Sequence, residues 1–220
     1  MTLRHAFALC AALLLAVAAP SHGLAADDAP VEGRDYVVIP DGQPWQPADG
    51  RIEVAEVFAY WCHVCNDFQP LVDRWQASLP ADVRFSYVPA AFSPDDAYAR
   101  GYFAAEALGA VDRTHHATFR SIHAAQSLPM RGASADEVAT HYAGLGLDRA
   151  RFAAAMQSPA TDARMREARG FIVRSGVEGT PTLVVDGRYR VQARSLGDLL
   201  RIADALVARE RAAAAAGAPR

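Results

Sequence analysis

The sequence predicts an α/β domain interrupted by an all-helical insertion, and three observations carry that reading. Two short apolar strands flank a helix between residues 52 and 88, an alanine-rich helical block follows to about residue 175, and strand signal returns only near residue 182. The 220 residues are 51% hydrophobic and 21% charged, enough apolar side chain for one core and too ordinary a composition for disorder. The 22 basic residues, all arginine, are scattered among 25 acids for a net charge of -3. That balance offers no basic footprint to nucleic acid or an anionic membrane.

Taken in order, the chain opens on a targeting pattern. Arg4 and His5 precede an apolar run at residues 6–19, and Gly23, Leu24 and Ala25 offer small residues for cleavage, so residues 1–25 read as a cleaved export signal. The run falls short of the roughly 20 residues that a spanning helix needs. Cys10 lies within it and is expected to leave with it. The folded part is then residues 26–220, with the insertion at about 94–170 and a frayed alanine, glycine and proline tail over 211–220.

Residues 52–58, IEVAEVF, read as a largely buried strand. Val64, Phe68, Leu71, Val72, Trp75 and Leu79 then recur at helical spacing, with Pro70 expected to kink the helix. Residues 83–88, VRFSYV, form a second strand ended by Pro89. Helix boundary signals mark the block that follows: Ser93-Pro94, Ser134 leading to Glu137, and Ser158-Pro159. Residues 182–185 and 188–192 pair around Asp186-Gly187 as a hairpin, and Ser195 caps a last helix to about Arg209.

FAYWCHVCNDF, residues 58–68, carries the chemistry. After export only Cys62 and Cys65 remain, in a compartment expected to be oxidising. So short a loop constrains the unfolded chain little, which argues against a structural staple. A zinc ribbon needs a second cysteine pair, and His115, His116, His123 and His141 have no ligand spacing. A redox pair remains. Cys62 stands at a strand-to-helix turn, where free amides and the helix dipole favour a thiolate, and Cys65 falls in the first helical turn.

FAYWCHVC, then VPAAF after the second strand, the helical block and GVEGTPTLVVDGRY together resemble the DsbA family of periplasmic thiol:disulfide oxidoreductases. VEGRDYVVI at residues 31–39 extends the similarity over nearly the whole mature chain. The resemblance implies a thioredoxin-like fold with an inserted all-helical domain. It makes Cys62 the exposed nucleophile and Cys65 the partner that completes the disulfide. Pro181 matches a cis-proline facing the cysteines, with Thr180 before it presenting backbone to a bound peptide. Glu56 matches an acid beneath the disulfide that modulates thiol ionisation and proton transfer. Arg84 is a candidate basic counterpart to it, while Glu53 reads as pointing to solvent.

Between the cysteines, the histidine stands beside the nucleophile as His63, not beside the second cysteine as in many family members, and is expected to tune the thiolate. Trp61 is shared between a peptide-receiving surface and the core, Phe58 reads as core, and His115, His116 and His123 read as surface residues. The implied activity is donation of the Cys62–Cys65 disulfide to newly translocated proteins, with no cofactor besides that disulfide. The implied partners are reduced or unfolded exported proteins and a quinone-linked membrane reoxidase of the DsbB type, the protein itself being a periplasmic monomer. A reductase or isomerase would use the same motif, and a peptide-binding holdase or a metal carrier on Cys62, His63 and Cys65 is the contrasting class.

Overall fold

The computed structural model describes residues 29–217, so the export-signal reading, with Cys10, lies outside the described residues. The sheet is built around β2 (Ile52–Phe58), which is buried along its entire length. It runs parallel to β3 (Val83–Pro89) on one side and antiparallel to β4 (Thr182–Val185) on the other. β5 (Tyr189–Val191) follows β4, and β1 (Tyr36–Val38) pairs with β5, giving the order β1-β5-β4-β2-β3. The three-residue β1 is too short to give a periodic signal of its own, and the sequence reading does not contain it.

Between β2 and β3 lies α1 (His63–Gln76), one continuous helix with Pro70 inside it. Its buried residues Cys65, Phe68, Gln69, Val72 and Trp75 recur at three- and four-residue intervals and face the sheet. α7 (Leu196–Ala215) packs beside it, and Trp75 donates from Nε1 to Asp204 at 2.7 Å. Ser195 caps α7 by accepting from the Asp198 amide at 3.1 Å. The helix continues to Ala215, so the tail set apart from residue 211 is helical over its first five residues. Alanine is the best helix former, and the run needs no packing to continue.

The insertion comprises α2 (Ala97–Ala107), α3 (Val111–His123), α4 (Ala135–Gly144), α5 (Arg149–Met156) and α6 (Pro159–Arg174). Asp96, Ser134, Asp148 and Ser158 cap four of these with side-chain oxygens, and Ser134 and Glu137 form a reciprocal capping box. Phe58, at the end of β2, joins insertion to sheet: its ring meets Tyr60 at 5.1 Å, Tyr87 at 5.4 Å, Tyr102 at 5.4 Å and His115 at 4.9 Å. Edge-to-face contacts of this kind add to the burial of the rings. Among the described residues no helix is long and apolar enough to cross a membrane.

In the β4–β5 turn, Asp186 and Gly187 both take positive φ, and the Arg188 amide closes the turn on the Val185 carbonyl at 2.9 Å. Gly187 is required twice over, because a Cβ there would fall 2.1 Å from the Gln43 backbone. That close approach locks the segment before β2 onto the hairpin.

Glu53 does not point to solvent. It is fully buried and accepts from the amides of Trp45 at 2.5 Å and Gln46 at 3.1 Å, from Ser86 at 2.8 Å and from Arg84 Nε at 3.2 Å. Arg84 stands opposite Glu53 in the β2–β3 register and also donates to the Gln46 and Pro47 carbonyls. It therefore serves Glu53 on one face of β2, whereas Glu56, three residues on, projects from the other. Arg84 is not the counterpart of Glu56. Removing the carboxylate leaves the buried Trp45 amide and the Ser86 hydroxyl without their acceptor and takes one partner from Arg84, which keeps Asp49 and the two carbonyls, so Glu53→Ala is expected to cost about 3 kcal/mol, read as a lowered urea midpoint. A loss under about 1 kcal/mol would mean that this face hydrates freely.

Candidate active site

β2 ends at Phe58 and the chain turns through Ala59–Trp61 before entering α1, with the Cys62 amide bonded to the Ala59 carbonyl at 3.1 Å. Cys62 is the N-cap of α1, and its sulfur accepts the Cys65 amide at 3.2 Å. The sulfur thus occupies the place where a helix leaves its first amides unsatisfied and its dipole is positive. Both cysteines are free thiols here. Across from them the Thr180–Pro181 peptide is cis, and the Thr180 carbonyl lies 3.3 Å from the Cys62 sulfur. Cys62 is less exposed than the sequence reading has it, at 7% against 0% for Cys65, because the Thr180–Pro181 loop closes over one side of the sulfur.

The two thiols are electrostatic opposites. Hydrogen bonding from the Cys65 thiol, then from the Thr180 side chain and the Cys65 and Val64 amides, draws the Cys62 pKa down from an ordinary 9.0 to about 6, against the opposing effect of burial. Burial, with the Cys62 contact and the charge of Glu56 added, pushes Cys65 far above the ordinary thiol range. One sulfur is therefore a thiolate near neutral pH while its neighbour keeps its proton. His63 is exposed at the first position of α1.

Glu56 is fully buried, and neither carboxylate oxygen has a hydrogen-bond partner among the described residues. Burial first, then the charges of Cys62 and Asp73, hold its pKa well above the ordinary carboxylate range. A buried, protonated carboxyl sensitive to both cysteines is suited to exchange protons with them. Trp61 is half-buried against the core. Its Nε1 donates to Asp96 at 3.3 Å and its ring lies 5.5 Å from the Arg131 guanidinium. Pro181, Thr182, Val64, Val191, Leu196 and Leu199 line a groove of about 350 Å³ beside the cysteines.

Of the three histidines assigned to the surface, one is buried and two are only half-exposed. His115 is buried, and His116 and His123 are half-buried, His116 with Nε2 3.3 Å from Asp73. His115 Nδ1 lies 3.0 Å from the Tyr60 hydroxyl, and His123 Nε2 donates to the Tyr60 carbonyl at 2.7 Å. Phe119 lies between them, with its ring 5.0 Å from that of Tyr60. The four-residue spacing of His115, Phe119 and His123 is the signal that could have found this face, since it makes one stripe on α3.

Residues 88–203 match the DSBA-like thioredoxin domain family. The thiol:disulfide interchange protein DsbA of Pseudomonas aeruginosa is 35% identical over 187 residues, covering 83% of this chain and 86% of that one. Its counterpart in Pseudomonas syringae pv. tomato is 34% identical over 207 residues, covering 91% and 94%. The crystal structure of oxidoreductase DsbA from Xylella fastidiosa superimposes with a TM-score of 0.81 at 45% identity, covering 84% of this chain and 99% of that one.

Alkylation of the reduced protein is expected to rise with pH to half its plateau near the Cys62 pKa of about 6. His63→Ala is expected to leave that midpoint in place, because backbone amides, Thr180 and Cys65 hold the charge. A midpoint in the ordinary thiol range of about 8–9 would refute the assignment. The folded pKa lies below that of the unfolded thiol. Cys62 therefore adds stability to the reduced form that is complete above the unfolded thiol's pKa and is lost as pH falls through about 6. Urea midpoints of reduced wild type and Cys62→Ser should accordingly converge in acid.

Proposed function

The chain belongs to the DsbA family and is a thiol:disulfide oxidoreductase, and from that premise we propose that it donates a Cys62–Cys65 disulfide to reduced exported proteins. The observation that carries this direction is the unequal ionisation of the two thiols at the start of α1. A reduced state that holds a stable thiolate gives up its electrons reluctantly, so its disulfide is a strong oxidant.

The steps follow from the geometry. A substrate thiolate attacks Cys62 Sγ of the oxidised protein, and the Cys62–Cys65 bond breaks with its electron pair on Cys65. Cys65, buried and of high proton affinity, takes the proton of Glu56. A second substrate thiolate then attacks the substrate sulfur of the mixed disulfide. Cys62 departs readily because a low thiol pKa makes a good leaving group. The products are an oxidised substrate and a reduced enzyme.

Peptide recognition is assigned to the same corner. The Thr180 backbone beside Pro181 offers main-chain pairing that tolerates many sequences, and the groove lined by Val64, Pro181 and Leu199 receives apolar side chains. Trp61 extends this surface on the other side of Cys62. The protein needs no cofactor besides its disulfide, acts as a periplasmic monomer on reduced or unfolded clients, and is reoxidised by a quinone-linked membrane partner of the DsbB type.

Oxidised wild type is expected to accelerate disulfide formation in a reduced, unfolded substrate protein, and Cys62→Ser is not. A reduction potential against glutathione as low as that of a thioredoxin would reverse the direction to reductase. Zinc at one equivalent in protein purified without added metal would favour a carrier.

A further inference from the structure

His115 belongs to the inserted helical block, yet it is 2% exposed and both its ring nitrogens contact the catalytic segments. Nδ1 meets the hydroxyl of Tyr60, two residues before Cys62, and Nε2 meets Gln69 Oε1 at 3.1 Å. Gln69 lies one helical turn after Cys65 and on the same face of α1. Tyr87 donates to the same Gln69 oxygen at 3.2 Å, and its ring lies 4.1 Å from the His115 ring.

An amide oxygen that accepts from two fixed donors fixes the carboxamide. The Gln69 nitrogen is then turned away from His115 and Tyr87, and it is buried without a partner among the described residues. Glu56 stands opposite Tyr87 in the β2–β3 register and holds two buried oxygens that are likewise unpartnered. An unspent donor and two unspent acceptors therefore flank one tyrosine on the face that carries Cys65. Other charged or titratable groups face Glu56 from α1, as Cys62, Cys65 and Asp73, and from β3, as Tyr87. α3 contributes His115, and its His116 pairs with Asp73, while β4 presents only Leu183.

We propose that His115 is a positioning residue of the exchange reaction: with Tyr87 it aims the Gln69 amide to stabilise the carboxylate that Glu56 becomes on giving its proton to Cys65. The stabilising hydrogen bond runs through one bridging water, which a pair of buried orphans of opposite kind can hold. The inference rests on Glu56 being the proton donor. In that step the substrate sulfur bonds to Cys62, the Cys62–Cys65 electron pair stays on Cys65, and the Glu56 proton follows it. Solvent later restores the proton to Glu56. Gln69 Oε1 can only accept, so His115 carries its proton on Nε2 and receives the Tyr60 hydroxyl at Nδ1. Burial keeps the imidazole neutral, and this donor is held across the working pH range.

The test is the pH dependence of reduction of the oxidised protein by glutathione, followed by stopped-flow fluorescence. His115→Phe keeps a ring among Phe58, Tyr87 and Phe119 but removes both hydrogen bonds, and Gln69→Leu removes the amide at similar volume. Each is expected to move the midpoint that Glu56→Gln abolishes upward by about one pH unit, the worth of one hydrogen bond to a charged group. The double variant should shift no further than either single one. Two results overturn the inference: variants that lose thermal stability with the midpoint unmoved, or a rate defect that persists in full in a Glu56→Gln background. A Glu56→Gln protein with the wild-type profile would remove the reading on which the inference rests. A profile that responds to Glu56→Gln but not to His115→Phe or Gln69→Leu overturns this inference alone.

Discussion

The rest of the structure depends on β2 being buried on both faces while carrying two carboxylates. A strand in that position needs a helix layer on each side, and it delivers its last residue to a point where the chain can only turn outward. That point is the N-terminus of α1, and the cysteines stand on it. The two carboxylates meet opposite fates because the pleat sends them to opposite faces. Glu53 finds Arg84, Ser86 and two amides, which hold it as a structural anchor. Glu56 finds no hydrogen bond and is left with a proton to exchange.

The chemistry is thus divided between backbone and core. The first turn of α1, the Cys65 thiol and the Thr180 side chain hold the charge on Cys62. Burial sets the proton on Cys65. The insertion serves this division from behind. α3 holds the turn before Cys62 through Tyr60 and reaches α1 through Gln69, which ties helices remote in sequence to both sulfurs.

Much of this was legible in the sequence because it is written in local patterns. The strand before the cysteines, the amphipathic helix after them and the Asp186-Gly187 turn follow from periodicity and turn chemistry. The Cys62 position at a helix start needed nothing more. The face of Pro181 toward the cysteines came from family resemblance, since no local rule brings two distant segments together. Glu53, Arg84 and His115 were misread for one shared reason. A polar side chain is buried only when distant partners satisfy it, and here the partners are Trp45 and Gln46 for one and Tyr60 and Gln69 for another. A strand with both faces covered also lacks the alternation that would have separated Glu53 from Glu56.

The sheet order leaves β1 and β3 as its margins, and both are poor templates for another chain. β1 offers three residues, and β3 carries Arg84 and closes on Pro89, which has no amide to donate. Under the proposed function the clients are reduced, unfolded chains, which bring strands in search of a partner. With margins so blunt, a client finds little to hold except the groove beside the sulfurs, and a finished client can leave rather than remain as a sixth strand.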